Sequence, residues 1–285
     1  SIIAIYYILT FKFLRKIKSN KVLIFAIYTP IFLLYPVAEI EVLGRKEIFI
    51  FFIFLVYFFI DNEILKKIYK IVFLSLSVLI WEPVIFFFIF FLAVDLFEKK
   101  ISKIDIKFFS NLIYYAPALL IALYISLSPL EPENHTMMAD YLKNNFNEDC
   151  YMSCELLRTK SSLSAQFLGN YHQYSVEIFF RYFLIIIFGF GPLLILASNS
   201  SYKEKNIIFF KNFKTLLIPT LILLIPAIFL FAMASDWGRW VNISYVFSII
   251  FFIYLYKSEK IFINRNLFSI LDLSLIHILR CRRIG

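Results

Sequence analysis

Long runs of apolar residues, several without a charge across a dozen or more positions, leave this chain few ways to fold. A soluble core has no use for such runs, whereas a bilayer demands roughly 20 apolar residues for each spanning helix. With 61% hydrophobic, 20% aromatic and only 17% charged residues, the 285-residue chain lies far outside the soluble range. The expected class is all-α: a polytopic bundle of membrane helices in one domain over residues 1–272. The runs read as about nine segments, near 2–14, 22–38, 48–60, 64–81, 84–97, 108–128, 176–196, 215–234 and 241–256. The third is short for a full span, and the fourth crosses only if Lys66, Lys67 and Lys70 carry their amines out to the interface.

A net charge of +9 raises nucleic acid as a partner, but the basic residues sit in short clusters between apolar runs. That pattern belongs to membrane sidedness, and no nucleic acid is expected. The loops carrying Lys12 to Lys21, Lys66 to Lys70, Lys99 to Lys107, Lys203 to Lys214 and Lys257 to Arg265 hold 19 Lys and Arg. The opposite set, Arg45, Lys46, Lys143, Arg158, Lys160, Arg181 and Arg239, holds 7. The richer face is expected in the cytoplasm of a bacterial inner membrane, which makes the long polar loop at 129–175 extracytoplasmic. The same count requires residues 64–97 to double back at Trp81-Glu82-Pro83, where proline also disfavours an unbroken helix. Within the long loop, Met137, Met138, Tyr141 and Leu142 recur at helical spacing, so short interfacial helices are expected there.

Residue 1 is Ser inside an apolar run, so the natural start is expected to lie upstream, and no signal peptide can be read. The other end, residues 273–285, resembles the translated reading frame of a sequencing adapter. Three of the chain's nine arginines fall at 280–283. That tail is expected to be non-native, and it takes His277 and Cys281 out of consideration. Cys150 and Cys154 remain, an even pair in one polar loop and candidates for a disulfide in an oxidising compartment.

Charged residues gather on the outer side. Asp236-Trp237-Gly238-Arg239-Trp240 forms the short link between the last two runs, with two tryptophans at headgroup level and Asp236 near enough to pair with Arg239. Arginine suits bidentate binding of a diphosphate, although a solvated loop pair is the bland alternative. Gly44-Arg45-Lys46-Glu47 places two cations just before a helix start expected at Glu47, a phosphate cradle or an interfacial anchor. Glu82 is a carboxylate beside Trp81 near the hydrocarbon edge, suited to general-base work or else a hairpin tip in water. Arg181 lies about one turn inside the seventh run, where an arginine is functional or snorkels. His135 and His172 have no ligand-spaced partner, so no metal site is expected. No phosphate-binding glycine loop, dinucleotide fingerprint or nucleophile elbow occurs.

On the residues Gly44-Arg45-Lys46-Glu47, Trp81-Glu82-Pro83 and Asp236-Trp237-Gly238-Arg239-Trp240, together with the Phe/Ile/Leu-rich spans and one large outer loop, the chain resembles bacterial surface polysaccharide polymerases of the O-antigen and capsule group. The resemblance implies a polyprenyl-diphosphate-linked oligosaccharide substrate at the outer leaflet, with membrane lipid as the surroundings and no cofactor. It further implies that Arg239, with Arg45, Lys46 or Arg181, holds the diphosphate, and that Glu82 or Asp236 takes the proton from the attacking sugar hydroxyl. Three other classes stay open, one of them a purely structural membrane subunit whose outer charges are ordinary interface residues. A multi-span glycosyltransferase with a polyprenyl-phosphate sugar donor carries acidic residues in its first outer loop, which is expected either upstream of residue 1 or at Glu39 to Glu47. A transporter without chemistry calls for polar residues at mid-membrane, which residues 84–97 and 215–234 nearly lack, while a lipid flippase calls for them less.

Overall fold

The computed structural model describes residues 2–264, apart from 16, 18–19, 34–45, 100, 102, 128–131, 151–167, 169–170, 172–174, 204–212 and 234–235. Arg45, Cys154, Arg158, Lys160, His172 and the tail at 273–285 therefore lie outside the described residues.

The chain is mostly helical, as the apolar periodicity predicts. In order come α1 (Ile2–Leu14), α2 (Lys21–Ile27), α3 (Pro30–Leu33), α4 (Lys46–Tyr57) and α5 (Glu63–Tyr69). A π-turn at Lys70–Leu74 joins α5 to α6 (Ser75–Ile80), and a 3-10 stretch at Glu82–Phe87 leads into α7 (Phe88–Glu98). There follow α8 (Ile106–Leu112), a 3-10 turn, α9 (Ala116–Leu127), α10 (Pro132–Phe146), α11 (Val176–Ser198), α12 (Leu217–Leu224), a 3-10 turn at Ile225–Ala227, α13 (Ile228–Met233) and α14 (Trp237–Lys257). Starts are marked locally: the side chains of Asn20, Asn62, Asp105 and Ser175 accept from the first free amides of α2, α5, α8 and α11. Helix α10 meets the expectation of a helix over Met137–Leu142.

Two expectations need correction. Nine spans are not supported: among the described residues three helices are long and apolar enough to cross a membrane, namely Ile106–Leu127, Val176–Ser198 and Trp237–Lys257. The other runs yield helices of 13 residues or fewer, or stretches broken by the π-turn and by 3-10 turns at Pro83 and Pro226. The fold is also not purely helical. After α11 and α14 the chain forms β1 (Ser200–Tyr202) and β2 (Ile261–Ile263), an antiparallel pair with Ser201 opposite Phe262.

Helix α14 is the axis of the fold. It is buried almost all round, as an apolar helix without a polar face must be. Phe247 on α14 meets Phe54 of α4, Phe87 of the 3-10 stretch and Phe90 of α7 at ring separations of 5.0, 4.9 and 5.6 Å. Phe54 also meets Phe91 edge-on at 4.7 Å. These rings make a solid aromatic slab between α4, α7 and α14. Helix α11 approaches α14 closely because residue 189 is glycine: a Cβ there falls 2.5 Å from Val241 Cγ1.

The hairpin expected at Trp81-Glu82-Pro83 is present. Trp81 is extended, with φ −159° and ψ 99°, and ends α6. Lys70 meets Asp95 and Lys66 meets Glu98 across it. Both pairs are centred on the Glu82 tip, as two antiparallel arms require.

Two polar clusters at opposite ends of the helices

Polar groups concentrate at the two ends of the aromatic slab. Helix α4 carries Glu47 at its start and Tyr57 at its end, and α14 carries Arg239 at its start and Tyr254 near its end. At 1.5 Å per residue these separations are about 15 Å and about 22 Å, within the thickness of a hydrocarbon layer.

At the first end, Arg239 gathers the three sequence motifs. It is not in a loop, as its motif suggested, but in the first turn of α14, since Asp236 stands at the N-cap and Trp237 already is helical. Its Nε and Nη2 both donate to Oε1 of Glu47, which lies in the first turn of α4 and is 1% exposed. The guanidinium lies over the rings of Trp81 and Trp240, at 5.9 and 5.5 Å. Those indoles stack on each other at 6.1 Å. Planar, weakly hydrated arginine suits such a seat between a carboxylate and aromatic faces. Asp236, the partner expected from the sequence, is the minor one: its carboxylate stands 4.0 Å from Nη1 and is 56% exposed.

The remaining expected site residues are spread around this centre. Lys46 is the exposed first residue of α4, one position earlier than the helix start expected at Glu47. Glu82 is exposed at the hairpin tip, beside Trp81. Arg181 is exposed on α11, over the ring of Tyr182, which stacks on Trp237 at 5.0 Å. Trp237 is fixed in turn by donating Nε1–H to the Phe231 carbonyl at 2.7 Å. Just after α10, Cys150 is disulfide-bonded, and its Sγ lies 3.3 Å from Nε2 of the buried His135.

Three polar atoms at this end are buried with no hydrogen-bond partner among the described residues: Glu47 Oε2, Trp240 Nε1 and, one turn further along α14, Ser244 Oγ. Such atoms are rare in folded proteins and mark strain or a place for another group. The sequence pointed to Arg239 and Trp81 but not to Glu47 as their buried partner, because a pairing across 192 residues leaves no local signature.

The second end was missed. Lys66 and Lys70 do not carry their amines to the interface; both are buried, Lys70 to 1%. Lys70 Nζ lies 2.6 Å from Asp95 Oδ2 and 3.0 Å from Asn111 Oδ1. Asn111 donates to Asp95 at 2.9 Å, Tyr115 donates to the same oxygen at 2.7 Å, and Tyr57 donates to Oδ1. Lys99 also donates to Asn111, at 2.9 Å, and Lys66 pairs with Glu98 at 2.5 Å. Lys260 and Lys257 close the same end by donating to the carbonyls of Phe97 and Phe13. The sequence did hold a signal, the placement of Lys66 and Glu98, each 16 residues from Glu82, and of Lys70 and Asp95, 12 and 13 residues from it.

An apolar cleft of about 80 Å³ lies elsewhere, between Ile89, Leu92, Leu96 and Pro219, Leu223. No polar side chain lines it, so it offers neither catalysis nor recognition of a charged ligand. Among the described residues no group of three His, Cys, Asp or Glu is placed to hold a metal ion. No known family, curated protein or solved structure matches the chain.

Proposed function

We propose that this is a membrane-embedded glycosyl polymerase or transferase that acts at the outer leaflet of a bacterial inner membrane on a polyprenyl-diphosphate-linked oligosaccharide. The observation that carries the reading is the convergence of Glu47, Trp81 and Arg239 with Trp240 from three distant segments at one end of the bundle. Lys46, Glu82 and Asp236 stand exposed in the same segments, and a purely structural belt has no need of them. The 19-to-7 charge asymmetry favours placing that end outside and the Lys70 end in the cytoplasm. In this reading the outer edge of Arg239, with Lys46, stabilises the departing diphosphate, and a nearby carboxylate removes the proton from the attacking hydroxyl. No cofactor is called for. The solid aromatic slab between the two ends weighs against a transport pathway through the centre.

One observation favours a second reading. Glu47, an acidic residue next to a connection read as outer, lies inside the site, as a glycosyltransferase with a polyprenyl-phosphate sugar donor calls for if that connection is its acidic loop. The two readings differ only in the donor.

Purified protein in vesicles, supplied with a synthetic polyprenyl-diphosphate oligosaccharide or a polyprenyl-phosphate sugar, tests both. Wild-type protein is expected to extend the glycan from the first donor, and Arg239→Ala to lose about 100-fold or more of that rate while inserting normally. Extension from the second donor alone would select the second reading. Full extension by Arg239→Ala would remove the site from either.

A further inference from the structure

We propose that Glu47 is the group that takes the proton from the attacking hydroxyl, with Arg239 holding it in place; this rests on reading the Arg239 end as a glycosyl-transfer site. Glu47, Glu82 and Asp236 are the carboxylates in the segments that converge on Arg239, and their surroundings differ. Glu82 and Asp236 are exposed, so solvent competes for their lone pairs. Glu47 is enclosed and fixed at one oxygen only: Oε1 accepts both bonds from Arg239, while Oε2 is buried with no partner among the described residues. A proton acceptor works best when it is fixed, dry and has a lone pair to spare. Glu47 alone of the three meets all of these conditions.

The neighbours of Glu47 indicate what Oε2 is open to. Trp240, whose ring lies beneath the same guanidinium, has a buried Nε1–H without an acceptor among the described residues. A free acceptor and a free donor around one guanidinium suit a hydroxyl, which donates once and accepts as well. A phosphate has no proton for Oε2 once ionised, and a cation has no lone pair for Nε1–H. The ligand chemistry is therefore that of an alcohol, here a sugar hydroxyl of the acceptor glycan.

In the step, the acceptor oxygen forms its bond to the anomeric carbon of the donor sugar. The bond from that carbon to the carrier phosphate oxygen breaks, and its electron pair leaves with the phosphate group. The hydroxyl proton passes to Glu47 Oε2, from which water removes it after product leaves. Nη1 of Arg239, facing Asp236 at 4.0 Å rather than Glu47, remains for the leaving phosphate.

The test uses the full chain in vesicles with the lipid-linked oligosaccharide as donor and acceptor. Glu47→Gln keeps the shape of the side chain and an oxygen for Arg239 but cannot take a proton. It is expected to lower kcat by about 100-fold or more with KM changed only a few-fold, whereas Glu82→Gln and Asp236→Asn lower kcat by less than about tenfold. Formate is expected to restore turnover to Glu47→Ala and not to Arg239→Ala, which a collapsed site does not do. If Glu47→Gln turns over within a few-fold of wild type while wild type is active, Glu47 loses this role and the transfer reading stands. If wild type transfers from neither donor, both fall together.

Discussion

The two ends of the bundle are built from the same helices and the same kinds of residue, yet they are finished differently. At the Lys70 end, Asp95 accepts from Lys70, Asn111, Tyr115 and Tyr57, and the Asn111 amide is used at both its oxygen and its nitrogen. At the Arg239 end, Glu47 is engaged through one oxygen, and Trp240 and Ser244 keep buried polar atoms without partners among the described residues. A fully connected buried network rigidifies what it joins, whereas a partly connected one is costly unless something else completes it. The first end therefore reads as a clamp on the hairpin of α5 to α7 and on α4 and α8. The second reads as a site.

Breaking the clamp should have the largest effect on stability. Asp95→Ala or Lys70→Ala leaves a buried charge without its partner, and each is expected to lower unfolding stability in detergent by about 3–5 kcal/mol. The comparison is sharpened by a cycle: Lys70→Met in an Asp95→Asn background should cost less than in wild type, by about 1–3 kcal/mol of coupling. Equal costs in both backgrounds would mean that the pair does not act as a unit. Next in size is the seam between α11 and α14. Gly189→Leu must push α11 off Val241, and a loss of about 1–3 kcal/mol is expected, readable as a lower melting temperature. Asn62→Ala removes the cap of α5 near the clamp and should cost about 1 kcal/mol, read as a lower melting temperature. The smallest effect belongs to the end of α10, where Lys143→Ala breaks an exposed pair with Asp149 and should change stability by less than about 1 kcal/mol.

The same contrast explains what was legible in the sequence. The hairpin could be read because a Pro, a Trp and a charge count all act locally, and the three motifs at the Arg239 end stood out against apolar surroundings. Their mutual contact could not be read, since Glu47 and Arg239 meet only once α4 and α14 pack through Phe54 and Phe247. The clamp was misread for a physical reason: lysines near the start of an apolar run are compatible both with snorkelling and with a buried carboxylate partner. Asp95 decides between these, and the register about Glu82 is what links it to Lys70. The span count failed because apolar length alone does not register where a helix stops, as at the extended Trp81, and because helices such as Ile3–Leu14 and Leu217–Met233 are too short for a full span. The β1–β2 pair, three residues a side and partly serine, left no alternating pattern to find.

The difference between the ends is open to one comparison that needs no substrate: the unfolding of Asp95→Asn and Glu47→Gln, each an isosteric loss of charge, in the same detergent. Asp95→Asn is expected to lose about 3 kcal/mol and Glu47→Gln markedly less, because one Glu47 oxygen has no hydrogen-bond partner among the described residues. The reverse order would make the Arg239–Glu47 pair the structural clamp and would contradict the assignment of that end as the working site.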